Sequence, residues 1–89
     1  YSYDMQNVDL SRANLSETEL AWVDFTGANL QDANLTNANL GSTNLTKANL
    51  KGAIVNKDEL AHAILCETIM PDGQISNAGC DRFPASPVP

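Results

Sequence analysis

A core-type residue recurs at every fifth position of this chain: Leu10, Leu15, Leu20, Phe25, Leu30, Leu35, Leu40, Leu45, Leu50 and Val55. Two residues ahead of each stands something small or compact, in order Val8, Ala13, Thr18, Val23, Ala28, Ala33, Ala38, Thr43, Ala48 and Ala53. Between the two, as far as Asn49, lies Asn, Asp or Glu. No regular element buries such a pattern. Five residues advance an α-helix by about 500°, so the Leu set would spiral around the cylinder instead of forming a stripe. In a continuous strand an odd spacing sends successive Leu side chains to opposite faces. The chain must therefore turn once per unit.

Within a unit the small residue and the Leu are two apart, so in an extended segment they point the same way. The residues left over form a corner. Asn and Asp suit it because their side chains hydrogen-bond nearby backbone and tolerate unusual dihedrals. Gly27, Gly41 and Gly52 fall at corner positions, where steric permission is useful. Repetition winds a coil with Leu and Ala inside and polar residues outside, its turns stacked at about 4.8 Å.

Segments such as Ala28-Asn29-Leu30-Gln31-Asp32, Ala33-Asn34-Leu35-Thr36-Asn37 and Ala38-Asn39-Leu40-Gly41-Ser42 resemble the pentapeptide-repeat family over residues 8–55. The resemblance implies an all-β solenoid, a right-handed quadrilateral β-helix with four units per coil. Leu10, Leu30 and Leu50 would then form one ladder and Leu15, Leu35 and Val55 a second. Leu20 would sit under Leu40, and Phe25 between Met5 and Leu45. The side carrying Phe25, Val23 and Thr43 should be the most crowded. About two and a half coils follow, a prism on the order of 12 Å tall at strand spacing.

The expected organisation is a β-helix over 1–56 and a C-terminal cap over 57–89. A short solenoid has two raw edges. Asn56 followed by Glu59 resembles a helix N-cap with Glu at the third helical position, and predicts a short capping α-helix over about 57–66 lying across the last coil. Met70-Pro71-Asp72-Gly73 is a turn signal at 70–73. Thr68 to Gly73 (Thr-Ile-Met-Pro-Asp-Gly) also resembles the end of many cyanobacterial and plastid members of the family, which implies a photosynthetic source. The Pro-rich stretch 82–89 reads as an extended or disordered tail.

The net charge of −6 and the scattering of Arg12, Lys47, Lys51, Lys57 and Arg82 argue against nucleic acid as a partner. No apolar run approaches the roughly 20 residues of a membrane span, so membrane insertion is not expected. The chain begins at Tyr1 without a signal-peptide pattern, as a mature form or a piece of something larger would.

Two cysteines, Cys66 and Cys80, admit a structural disulfide in an oxidising compartment, free thiols or a redox pair. His62 and Cys66 at i, i+4 on the expected helix could begin a metal site with Cys80, but a structural zinc site takes four protein ligands and the expectation is no metal. No catalytic constellation stands out and no cofactor is implied, so the chain is not expected to be an enzyme. Trp22, two residues after a core Leu, falls at an outward corner; it either docks a partner or covers an end beneath Tyr1 and Tyr3. Acidic early coils (Glu17, Glu19, Asp24, Asp32) give way to basic later ones (Lys47, Lys51, Lys57), a solvated surface or a means of orienting a partner.

The leading functional reading is a non-enzymatic structural or protein-interaction module with an unknown protein partner, monomeric or an end-to-end dimer, in the thylakoid lumen or periplasm with the cytoplasm as alternative. Some members of the resembled family are long, acidic β-helices that imitate DNA and bind DNA gyrase. This chain shares the acidity, but duplex DNA carries a charge about every 1.7 Å, and so short a prism would copy few phosphates. The third reading is a redox-responsive protein working through Cys66 and Cys80.

Overall fold

The structure, a computed structural model, describes residues 3–80, so the tail expected at 82–89 lies outside the described residues. Every unit follows one path. Its central residue forms a β-bridge, and the side-chain oxygen of an Asn or Asp there accepts from the backbone N–H two residues on. Asp9 receives Ser11 N–H at 3.0 Å, Asn29 receives Gln31 N–H at 3.1 Å, and Asn49 receives Lys51 N–H at 3.0 Å. These Asx turns start the corners that follow an Asn or Asp. The next residue has a left-handed backbone: from Asn7 to Gly52 the φ values at the corners run between 57° and 77°. Of the three corner glycines only Gly27 (72°) and Gly52 (77°) use that freedom, whereas Gly41 occupies the preceding position with an ordinary φ.

Four such corners close a coil of twenty residues, because every solenoid bridge is parallel and joins residues twenty apart. The columns are Asp4–Asp24–Asn44–Ile64, Asp9–Asn29–Asn49–Ile69, Asn14–Asn34–Ile54 and Glu19–Asn39. Along each column the N–H after the bridge donates upward, as from Leu10 to Asn29 O, Leu30 to Asn49 O and Leu50 to Ile69 O, all 2.8 Å. The interior is a stack of Leu and Ala. Leu30, Leu35, Leu40, Leu45 and Leu50 are fully buried, as are Ala28, Ala33, Ala38 and Ala48. Phe25, Val23 and Thr43 share one buried side, as their spacing requires. Thr43 and Thr68 are fully enclosed; their hydroxyls donate to Leu20 O (2.8 Å) and Leu45 O (2.7 Å), so no polar atom there lacks a partner.

The C-terminal segment departs from expectation in three ways. The helix expected over 57–66 is confined to α1, Lys57–Leu60, with Asn56 Oδ1 accepting Asp58 N–H as its N-cap (2.7 Å). Glu59 does not reach back to that cap. Its carboxylate accepts Leu40 N–H (3.1 Å), taking the place of the bridge carbonyl that a fourth-side rung would have supplied. After α1 the ladder resumes: Ile64 N–H donates to Thr43 O and Ile69 N–H to Ala48 O. Solenoid geometry thus runs past the two and a half coils expected from residues 8–55, and through the segment expected as a separate cap. The physical reason is the beat itself. Leu60, Leu65 and Met70 continue it in register, with Ala63 and Thr68 at the small positions, and a five-residue spacing cannot line one face of a longer helix.

The last coil is covered by a hairpin and not by a helix. β1 (Thr68–Ile69) pairs antiparallel with β2 (Ile75–Ser76), Thr68 opposite Ser76 and Ile69 opposite Ile75. The turn at 70–73 joins them as expected, with Gly73 N–H donating to Met70 O (2.8 Å) and Gln74 N–H to Asp72 Oδ1 (3.0 Å).

Candidate interaction surfaces

Among the described residues four large apolar side chains are exposed: Tyr3, Trp22, Ile54 and Ile75. Trp22 is 63 % exposed at a corner where φ is 69°. A bulky side chain in the left-handed region works against local sterics. The corner is held by backbone bonds, Trp22 N–H to Gly41 O (3.1 Å) and Ser42 N–H to His62 O (2.8 Å), so the indole is not needed to close it. The first residues of this column are Ala21, Gly41 and Ala61. The two corner positions of this column thus carry no Asp, Glu, Lys or Arg at 21–22, 41–42 or 61–62, with Glu19 earlier in the unit of Trp22 and Asp24 in the next. Tyr1 lies outside the described residues, and Tyr3 leaves Trp22 largely uncovered.

The acidic side carries one perturbed group. Asp9 ionises below the ordinary aspartate range because Ser11 donates its backbone N–H, and also its side chain, to the carboxylate, with Arg12 adding a smaller attraction. The group is fully exposed, so the shift is local turn chemistry and not a sign of a reactive site.

At the other end Cys66 and Cys80 stand at disulfide distance, with sulfurs 2.11 Å and Cα atoms 4.6 Å apart. Cys66 belongs to the ladder, since its carbonyl accepts Lys47 N–H (2.8 Å). Cys80 follows Gly79, whose N–H donates to Leu65 O (2.7 Å), and Asn77 Oδ1 accepts Glu67 N–H (2.8 Å). The segment 77–80 is thereby laid along residues 65–67. His62 does not share a helical face with Cys66, because α1 ends before it. No group of three or more His, Cys, Asp or Glu among the described residues could hold a metal ion.

Beside the hairpin lies a feature the sequence reading did not anticipate, an open groove of about 740 Å³ whose larger apolar lining residues are Val55, Leu60, Leu65, Met70 and Ile75, with Lys57, Asp72, Gln74, Ser76 and Asn77 among its polar ones. All five apolar residues sit on continuations of the five-residue beat, so the signal was present in the spacing. No helix among the described residues is long and apolar enough to cross a membrane.

Comparison with known proteins agrees with this geometry. The family model for pentapeptide repeats matches in eight copies, over residues 4–41 and 24–57. HetL, a pentapeptide repeat protein involved in heterocyst differentiation regulation in the cyanobacterium Nostoc sp. strain PCC 7120, is similar in structure, with a TM-score of 0.74 and 38 % sequence identity. That similarity covers 82 % of this chain and 34 % of HetL, so the chain spans about a third of its length. No curated protein sequence matches. The unbroken five-residue beat, the twenty-residue ladder and the family match together place the chain in the pentapeptide-repeat family, whose fold is the right-handed quadrilateral β-helix.

Proposed function

We propose that this chain is a non-enzymatic protein-interaction module that engages its partner at the Trp22 corner. The observation that carries this is the indole itself, 63 % exposed on a corner whose backbone closes without it. Exposed Trp is a favoured anchor at protein interfaces, since it brings a large contact area with few rotamers to freeze. The similarity to HetL, described as involved in differentiation regulation, supports a regulatory role. The test compares wild type with Trp22→Ala as bait in native extract from a photosynthetic host. A partner retained by wild type and reduced about ten-fold or more by the variant, at unchanged melting temperature, is the expected result. Equal capture by both baits, or measurable turnover of any substrate by the chain alone, would overturn the reading.

A second reading concerns compartment. The closeness of Cys66 and Cys80 supports an oxidised bridge, and with it the thylakoid lumen or periplasm over the cytoplasm. The Thr68–Gly73 segment and the similarity to a cyanobacterial protein support a photosynthetic source. Thiol labelling of the native protein under graded reduction tests this. A bridge that resists physiological reductants is structural; one that opens within that range makes the cap redox-responsive; free thiols in the native protein refute the bridge.

A further inference from the structure

In the rungs beneath, two backbone groups carry the next coil. The carbonyl before the bridge accepts from above, as Ala33 O does from Ile54 N–H (2.9 Å), and the N–H after the bridge donates upward, as Leu35 N–H does to Ile54 O (2.7 Å). On the Asn14–Asn34–Ile54 side the column stops at Ile54. Ala53 O and Val55 N–H, the two groups that would hold a fourth rung, have no partner among the described residues.

The cause is the hairpin. The chain keeps pace with the coil as far as Pro71, whose carbonyl accepts Gly52 N–H (3.0 Å). The turn at 70–73 then folds residues 74–76 back onto β1, so Gln74, twenty residues after Ile54, never comes to lie over it. The open rung is left with Ile54 61 % exposed. Its inward side leads through Val55 directly into the groove floored by Leu60, Leu65 and Met70. Exposed Lys51 and Lys57 flank it, one on each side.

We infer that Ala53–Val55 is a docking site for one extended peptide segment of a partner protein, added as the missing rung. Unpaired strand groups recruit such a strand by main-chain hydrogen bonds, while pockets for alternate side chains select it. The geometry specifies the segment. Its central residue donates to Ala53 O and accepts from Val55 N–H. The residues on either side of that centre point inward, the first small, over Ala53, and the second aliphatic, over Val55 and into the groove. Acidic residues at the two ends meet Lys51 and Lys57. This surface is separate from the Trp22 corner, and it shares with the reading above only that the chain binds proteins.

The experiment uses the full chain in its native redox state and a fluorescein-labelled, end-blocked peptide, Asp-Thr-Ala-Thr-Leu-Thr-Asp. Fluorescence anisotropy should show saturable binding. N-methylation of the central Thr, which removes the hydrogen bond to Ala53 O, should weaken it about ten-fold. Val55→Pro should do the same, since it removes an N–H the fold does not use and Ile54 before it is already extended. Lys51→Glu with Lys57→Glu should weaken binding several-fold at low salt and little at high salt. Trp22→Ala should leave it unchanged, which separates failure here from failure of the Trp22 reading. In the free protein the Val55 amide should exchange with solvent far faster than those of Leu35 and Leu50. No saturable binding, or binding indifferent to N-methylation, refutes the proposal. So does a protected Val55 amide in the free chain, which would mean that residues 81–89 already fill the rung. If Val55→Pro fails to fold, the methylated peptide and the exchange rate still decide.

Discussion

Two corner glycines, eleven residues apart, should respond to the same substitution with opposite signs. Gly52 has φ 77°, and a Cβ there would run into Asp32 Oδ1 from the coil below. Alanine in the left-handed region costs about 1–2 kcal/mol. Moving the Asp32 carboxylate adds little, because it is the end of a flexible side chain. Gly41 has an ordinary φ, and its added Cβ meets only Asn39 Oδ1, at 3.3 Å. The equivalent position in other units already carries side chains over the same Asx turn: Ser16 over Asn14, Thr36 over Asn34 and Thr46 over Asn44. The neighbour therefore accommodates a Cβ, and Gly41→Ala should stabilise by about 0.4–1 kcal/mol through lost freedom of the unfolded chain. The two variants should differ by about 2 kcal/mol, which for a domain of this size is a separation in Tm on the order of 10 °C. Circular dichroism melts at fixed redox state read it directly. Gly52→Ala melting at or above wild type, or Gly41→Ala falling alongside it, would refute the account of the corners. Gly52→Ala combined with Asp32→Ala isolates the contact from the backbone cost, since only the contact is relieved by the second change.

Glu59→Ala should cost about 1–3 kcal/mol, because Leu40 N–H is left in a buried rung without its acceptor, and Glu59→Gln should recover most of the loss. Chemical denaturation of the three proteins checks this, and equal loss in both variants would show that the carboxylate is not a rung substitute. Cys66→Ser with Cys80→Ser, or reduction of wild type, should lower stability by about 3 kcal/mol, the closure entropy of a loop of this length. Melting temperatures with and without reductant measure it. A change confined to the double variant, and not reproduced by reductant, would point to packing instead of the crosslink.

The coil was legible because its period excludes every alternative. Leu and Ala two apart must face inward together, and an odd spacing must turn, so the core from Val23 to Leu50 follows from arithmetic on the chain. The turn at 70–73 was legible from Pro71, Asp72 and Gly73. The C-terminal segment was harder for an identifiable reason. Asn56, Asp58 and Glu59 carry a strong local helix-start signal, and Leu60, Ala61 and Ile64 sit at spacings a helix tolerates. One turn of helix does form. Beyond it the solenoid wins, because Ala63, Leu65, Thr68 and Met70 find ready-made columns in Thr43, Leu45, Ala48 and Leu50, and a longer helix would leave those edges bare. Glu59 was misassigned for the same reason: its carboxylate has two competing donors, and the buried Leu40 N–H is the costlier one to leave unpaired.

What the beat fixes also says where function must be sought. Inward positions are spoken for by packing, and bridge positions by the Asx turns. The second corner residue is constrained only in its backbone, and there it asks for Gly or a residue such as Asn. Asn7, Gly27, Asn37 and Gly52 meet that demand. Trp22 meets it worst, placing the largest side chain of the chain at φ 69° and in solvent. Replacing it with Gly or Asn should therefore raise stability, whereas an indole that covers an end of the solenoid would make the same change destabilising. A residue that opposes the local backbone preference and contributes little burial is what the proposed docking role of Trp22 rests on. That argument does not extend to Ile54, which holds an outward bridge position where Asn14 of the same column is exposed as well, and whose neighbours Ala53 and Val55 are left without a rung by the hairpin. The Trp22 and Ile54 sites thus differ in origin, one carried by a residue and the other by an unfinished ladder.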